Sequence, residues 1–385
     1  MEIFTPVKKL LNKVYARIDA AIVKYHRTYL GFVFLFALMG YGLVLLIPFL
    51  VIVAGINLYN ILPHADLSNW QAPVIWAVTL ILSILFSYRM LKLRLTQPAG
   101  LALIKEEAHE IFKLVKKFST HFKRPKIHHI VITSSYQLDI IKVPKYALPI
   151  YSSNTLVVGL PVLLCLDEKQ FENIVARRIG QFSKKNNPIT NWLYQLRDIW
   201  KQYGHAYGKQ KHLDRFFLKW IFSAYASLYS FISTYAARLD ELNADNYSME
   251  LFTHNDVCET ITADIVFRWY LENTYWPAVD KIAAIKTDSS LQPYSNMKPD
   301  LINRMEERKI RSLIHKALRS EPDRNDANAT LRQRLDNIGH DTPVIPMNTG
   351  ASAADKYLGD SKKTVITLIN KLWLKTRINQ QKNKH

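Results

Sequence analysis

The chain has 385 residues, of which 49% are hydrophobic and 22% charged, and its 51 Lys and Arg against 32 Asp and Glu give a formal net charge of +19. The 12 glycines and 16 prolines exclude a collagen-like or low-complexity chain. Two cysteines, Cys165 and Cys258, exclude a disulfide framework and a four-thiolate zinc site. The length allows about two domains.

Two apolar segments near the N-terminus are long enough to cross a membrane. The first, at about 30–58, exceeds the roughly 20 residues that a bilayer-spanning helix needs. The second, at about 70–90, has tryptophans near one end and a tyrosine near the other, as is typical of membrane interfaces. The sequence therefore predicts a transmembrane hairpin over 29–95. Buried core helices and a cleaved signal peptide are disfavoured because the first segment is too long.

The charges beside these spans predict their orientation. Segment 63–71, between the spans, contains no Lys or Arg, and the positive-inside rule then places both termini in the cytoplasm. The basic residues that flank the membrane are Arg27, Arg89, Lys92 and Arg94. Segment 1–28 is predicted to be basic and cytoplasmic, and to lie on the inner leaflet. Contact with the lipid bilayer explains much of the basic excess, and without a recognition motif no nucleic acid partner is expected.

Residues 98–345 form a domain-sized cytoplasmic block that is first β-rich and then mostly helical. Candidate strands lie at 130–132, 146–151 and 155–160. Asp167 and Gln170 have the spacing of a capping box, which predicts the start of a helix. Residues 346–385 are predicted to form a C-terminal helix and a basic tail.

A third apolar run covers residues 216–237. Lys219 interrupts it and several hydroxyl side chains dilute it. It is predicted to be a long core helix, or a helix that lies on the membrane surface. A third membrane span is the alternative.

The helix that begins after Asp167 has charged residues on its apolar side. Arg178 falls in the middle of the apolar face, and Arg177 and Gln181 lie at its edge. A guanidinium group stays protonated, so it must reach solvent or find a buried carboxylate. The pattern alone leaves both possibilities open.

Several strings together resemble the membrane zinc metallopeptidases of the HtpX and CAAX-prenyl-protease type (metallopeptidase family 48). They are TLVVGL at 155–160, LD at 166–167, QF at 170–171, IVA at 174–176, Gly180 and ELNAD at 241–245. Further strings resemble one bacterial subgroup: NWLYQLRDIW at 191–200, AYASLYSF at 224–231, YWP at 275–277, LRQRLDNIG at 331–339 and ASAADKYLG at 351–359. The resemblance covers about residues 100–375. It implies an α+β, mostly helical fold: a zincin-like (gluzincin) domain with a small β-sheet, preceded by two transmembrane helices.

The residues that the family needs for catalysis are replaced. The two zinc-binding histidines and the glutamate base of H-E-x-x-H correspond to Arg177, Gln181 and Arg178. Glu241 matches the family's third zinc ligand, and Asp245 matches the residue that supports a ligand. The later D-T-H-P string reads DANA at 326–329 and also loses its histidine. We therefore expect no intact catalytic residue, no zinc and no other cofactor.

The same residues predict what takes the place of the metal. Glu241 and Asp245, four positions apart on one helix, share a face. We predict that Arg177 or Arg178 bridges to these carboxylates, since an arginine fork suits a carboxylate. The alternative is that both guanidinium groups turn outward.

The sequence thus predicts a membrane-anchored, catalytically inactive member of this family. Such a protein is expected to bind a protein or peptide partner as an adaptor or scaffold, with membrane-protein quality control at the bacterial inner membrane as the expected setting. One alternative is an active zinc metalloendopeptidase with unusual ligands. A second alternative is a structural subunit of a membrane complex.

Overall fold

The computed structural model describes residues 21–22, 24–64, 69–91, 98–123, 126–144, 152–183, 188–208, 213–285, 291–321, 327–340, 342–346 and 351–382. The helices are His26–Ile61 (α1), Gln71–Leu91 (α2), His109–His121 (α3), Leu160–Cys165 (α4), Glu168–Gln181 (α5), Pro188–Gly208 (α6), Leu213–Ile232 (α7), Thr234–Ser248 (α8), His254–Tyr270 (α9), Trp276–Ile285 (α10), Pro293–Arg304 (α11), Glu307–Leu318 (α12), Leu331–Asn337 (α13), Ala353–Tyr357 (α14) and Lys362–Lys382 (α15). Short turns of 3-10 helix at Leu62–His64 and Gly359–Ser361 and a π-helical turn at Leu271–Tyr275 complete the helical part. The strands are Leu101–Ala102 (β1), His129–Thr133 (β2), Leu138–Pro144 (β3) and Ser152–Gly159 (β4).

The described residues divide into two compact units. One unit contains residues up to 93 together with 192–236, and the other contains 94–191 and 237–385. These limits differ from the predicted boundaries, because 192–236 groups with the N-terminal helices and 346–385 groups with the central block. Each unit is described separately below.

In the first unit, α1 and α2 are long and apolar enough to cross a membrane, judged by length and composition. They are the only such helices in the described part of the chain. Helix α1, with 36 residues, is about 54 Å long at 1.5 Å per residue, well above the roughly 30 Å of a hydrocarbon core. Of the predicted flanking residues, Arg27 is exposed and Arg89 lies within α2. Lys92 and Arg94 lie outside the described residues, as do residues 1–20.

Helix α1 approaches α6 and α7 closely at a glycine. A Cβ atom at Gly40 would lie 2.5 Å from the Tyr225 hydroxyl and 2.7 Å from the Trp200 ring. The Tyr225 hydroxyl donates a hydrogen bond to the Phe36 carbonyl at 2.7 Å. Tyr225 and Tyr229, from run 216–237, therefore pack on Phe36 of α1 within this unit.

The run 216–237 is not one helix, contrary to the sequence prediction. Helix α7 ends at Ile232, and α8 begins at Thr234. Buried Arg197 donates to the Ser230 carbonyl at 2.6 Å and to the Ser233 hydroxyl at 2.9 Å. A cation beside the carbonyl groups at a helix C-terminus stabilises the end of the helix.

The second unit contains a mixed four-stranded sheet in the order β1-β2-β4-β3. Strand β4 is parallel to β2 and antiparallel to β3. Two predicted strands are confirmed, since 130–132 lies within β2 and 155–159 within β4. Segment 146–151 lies outside the described residues, and the sequence analysis missed β3. Helices α3, α4, α5 and α9 bury their apolar faces in the same core as this sheet.

Candidate functional site

Helix α5 carries three of the predicted site residues, Arg177, Arg178 and Gln181, and a capping box fixes where it begins. The Asp167 carboxylate accepts a hydrogen bond from Gln170 N–H at 2.8 Å, and the Gln170 side chain accepts one from Asp167 N–H at 3.3 Å. This confirms the predicted helix start. Phe171, Val175 and Ile179 are fully buried, which holds the apolar face of α5 against the core.

Helix α5 lies unusually close to α8. A Cβ atom at Gly180 would lie 2.4 Å from Tyr247 Cβ, which is closer than real side chains come. Glycine at this position therefore allows the contact between the two helices. The contact places Arg177 and Arg178 beside Glu241 and Asp245.

Arg177 is buried and binds both predicted carboxylates. Its Nε donates to Asp245 Oδ1 at 2.6 Å, and its Nη2 donates to Glu241 Oε2 at 2.7 Å. Nη2 also donates to the Glu241 main-chain carbonyl at 3.0 Å. One guanidinium group thus joins α5 to two successive turns of α8.

Arg178 binds the other oxygen of Glu241. Its Nη1 donates to Glu241 Oε1 at 2.8 Å and to the Gln181 side-chain oxygen at 2.6 Å. The Gln181 amide donates in turn to Asp240 Oδ2 at 2.8 Å. The structure therefore brings together all five predicted site residues, Arg177, Arg178, Gln181, Glu241 and Asp245, and the guanidinium groups do not turn outward.

The sequence analysis missed Arg334, a central member of the cluster. From α13 its Nε and Nη2 donate to Asp245 Oδ2 and Oδ1 at 3.0 and 2.7 Å, which makes a bidentate pair. The sequence did contain a signal, since Arg334 follows Leu331 by three positions and precedes Leu335, and both leucines are buried. An arginine on an apolar face needs a carboxylate wherever its side chain cannot reach solvent.

The electrostatics of the cluster favour charged side chains. Burial opposes ionisation of Asp245, but the positive charges of Arg334 and Arg177 outweigh burial and lower the pKa of its carboxyl group below the ordinary value. Burial likewise disfavours the charged form of Arg177, but Asp245 and Glu241 outweigh it and raise the pKa of the guanidinium group. Asp245 and Arg177 thus hold each other in their charged states.

A cavity of about 160 Å³ opens beside the cluster. Arg177, Arg178 and Glu241 form one part of its wall, and Arg268 and Arg334 form another. Leu138 of β3 contributes an apolar part. Asn328, from the string that matches the family's D-T-H-P, also lines the cavity, whereas Asp326 lies outside the described residues.

The residues of the site do not fit a zinc ion. The guanidinium groups of Arg177 and Arg178 bind both oxygens of Glu241, at 2.7 and 2.8 Å. A divalent cation at Glu241 would meet two positive charges and no nitrogen lone pair. Among the residues that the structure describes, no group of three or more His, Cys, Asp or Glu side chains is placed to hold a metal ion.

Comparisons of the chain with protein-family models, with curated proteins and with solved structures found no match. The relation to zinc metallopeptidases therefore rests on the sequence strings quoted above.

Proposed function

We propose that this protein is a membrane-anchored, catalytically inactive relative of the HtpX-type metallopeptidases, with a zincin-like domain that binds peptides without cutting them. The observation that carries the proposal is the cluster of Arg177, Arg178, Glu241 and Asp245. It stands at the positions where the family pattern has its zinc ligands and its base. Binding without hydrolysis suits an adaptor or scaffold role in membrane-protein quality control.

The chemistry of the cluster argues against peptide hydrolysis. A general base must accept a proton from the attacking water near neutral pH. Arg178 stands at the position of that base, and a guanidinium group has no acceptor. Glu241 is a carboxylate, but both of its oxygens already accept hydrogen bonds from arginines. The cluster therefore offers no group to activate water.

Peptide binding is supported by the edge of the sheet. Strand β3 is the outermost strand of its sheet, and beyond it lies no further strand among those the structure describes. An extended peptide can add to such an edge through main-chain hydrogen bonds and place side chains in adjacent pockets. The cavity between Leu138 and Arg178 is such a pocket.

Membrane anchoring is supported by the length and composition of α1 and α2. The basic residues on either side of the hairpin favour a bacterial inner-membrane location with both termini in the cytoplasm. The lipid bilayer is then one partner of the chain. A protein or peptide at the edge of β3 is the other.

The test uses the full chain in lipid nanodiscs with fluorescein-labelled casein as an unfolded probe. A photoreactive phenylalanine in place of Ile141, on β3, should cross-link to casein, whereas the same residue in place of Ala102, on the opposite edge strand, should not. The casein should remain uncut, with or without a chelator. Chelator-sensitive cleavage would instead indicate an active metalloendopeptidase, and absence of cross-links at both positions would favour a structural subunit.

A further inference from the structure

A side chain of β3 itself covers part of the sheet edge. The Gly159 N–H donates to the Gln137 carbonyl. In this antiparallel ladder, the main-chain N–H and C=O groups of Gln137 and Asp139 therefore point toward β4, and those of Ile140 point away from it, toward the open edge. The Ile140 N–H donates to Asp139 Oδ1 at 2.7 Å. Asp139 thus occupies a main-chain donor that an added strand would use.

The same carboxylate oxygen also lies next to the arginine cluster. Asp139 Oδ1 is 3.6 Å from Arg178 Nε, a distance that allows charge attraction but exceeds a good hydrogen bond. The Asp139 side chain is 27% exposed, against 11% for Arg178. Asp139 is therefore the more exposed partner of this ion pair, whereas Arg178 also binds Glu241 at 2.8 Å.

The far wall of the cavity adds further positive charge. Arg268 and Arg334 both line it together with Asp264, which lies 3.5 Å from Arg268 and 3.6 Å from Arg334, and Arg334 also binds Asp245 at 2.7 Å. Among the lining residues, the four arginines Arg177, Arg178, Arg268 and Arg334 outnumber the two acids Glu241 and Asp264. This excess of guanidinium groups over carboxylates favours a ligand with a negative charge.

We propose that the edge of β3 binds an extended peptide segment with an acidic side chain, and that Asp139 occupies the place of that ligand in the free protein. This inference rests on the proposed function and specifies its ligand. A main-chain carbonyl of the peptide accepts the hydrogen bond of Ile140 N–H, and the acidic side chain lies beside Arg178. One carboxylate replaces another, so the charge around Arg178 stays constant. A neutral peptide displaces the Asp139 carboxylate only from the Ile140 N–H and leaves it beside Arg178.

The test measures binding of two labelled heptapeptides, Thr-Val-Thr-Asp-Val-Thr-Val and its Asn counterpart, to the full chain in nanodiscs by fluorescence anisotropy. Asp139→Ala should raise the affinity for the acidic peptide about tenfold, the value of one charge-assisted hydrogen bond. The affinity for the neutral peptide should rise threefold or less, because this peptide gains only the uncovered Ile140 N–H. Asp139→Asn keeps an acceptor for Ile140 N–H and should give a smaller gain with both peptides.

Equal gains in affinity for the two peptides would refute the carboxylate-binding subsite at Arg178. No gain in affinity for either peptide would refute the competition between Asp139 and the peptide.

Hydrogen exchange at single-residue resolution tests, without any peptide, whether Asp139 covers the Ile140 N–H. Asp139→Ala should accelerate exchange of the Ile140 amide and leave the Ile132 amide, in the inner strand β2, unchanged. Unchanged exchange at Ile140 overturns the role of Asp139 but leaves the proposed function standing. Faster exchange with no peptide binding in any variant overturns the proposed function, and the ligand with it.

Discussion

Replacement of Asp245 by alanine should destabilise the second unit strongly. Asp245 is fully buried, and its two oxygens accept three hydrogen bonds from Arg177 and Arg334 at 2.6, 3.0 and 2.7 Å. Its removal leaves two buried guanidinium groups without this carboxylate. Loss of one partner from a buried ion pair costs about 3–5 kcal/mol of unfolding free energy, and with two cations affected we expect about 5 kcal/mol.

Replacement of Arg177 by alanine should cost less, about 3 kcal/mol. Asp245 then keeps its bidentate pair with Arg334, and Glu241 keeps its pair with Arg178. The double variant should be less destabilised than the sum of the two single variants by about 2 kcal/mol, because the residues share one network.

The assay is urea unfolding of the full chain in mild detergent, followed by circular dichroism. The matched control is Asp280→Ala, which removes a half-exposed carboxylate that pairs with Arg377. An exposed pair contributes at most about 1 kcal/mol. If Asp245→Ala costs no more than Asp280→Ala, or if the costs of the single variants simply add, the argument from the buried network is wrong.

Three further predictions concern pH, metal and topology. The lowered pKa of Asp245 means that its contribution to stability is complete above the unfolded value of about 3.9 and is lost as the pH falls through the folded pKa. Asp245→Asn should therefore reduce the loss of unfolding free energy at acid pH. If this free energy falls with pH as steeply in the variant as in the natural chain, the prediction is wrong. The triple change Arg177→His, Arg178→Glu and Gln181→His rebuilds the family's ligand set around Glu241. Elemental analysis should find zinc in this variant and well under one equivalent in the natural chain, whereas zinc in neither would show that the backbone geometry differs from the family's. An impermeant thiol reagent applied to intact cells, in a background without Cys165 and Cys258, should label Asp66→Cys but not Gln380→Cys. Labelling of the second variant would place the C-terminus outside the cytoplasm.

The sequence predicted those parts of the fold where one local signal suffices. The apolar length of α1 and α2 and the capping box at Asp167 are signals of this kind. All three helices, α1, α2 and α5, lie where they were expected. The break at Ser233 was missed, because it depends on Arg197, which precedes it by 36 positions and reaches the end of α7 only after folding. Strand β3 was missed because Asp139 and Lys142 interrupt its apolar pattern.

The candidate site likewise contains residues that the sequence identified and residues that only the structure revealed. Arg177, Arg178, Glu241 and Asp245 were identified because two short strings contain them all. Arg334 lies 89 positions beyond Asp245, and no spacing rule connects residues so far apart. Asp240 and Asp139 likewise acquire their roles through side-chain contacts that only the folded chain makes.

The arginine cluster also bears on how this unit assembles. The positive charges that join α5 to α8 belong to Arg177 and Arg178, and Arg334 adds a third from α13, so all of them are part of the polypeptide. The link between the helices therefore forms as soon as these side chains reach their carboxylates. On the proposed function, in which no zinc is bound, the abundance of this unit should stay constant when the cell is starved of metal.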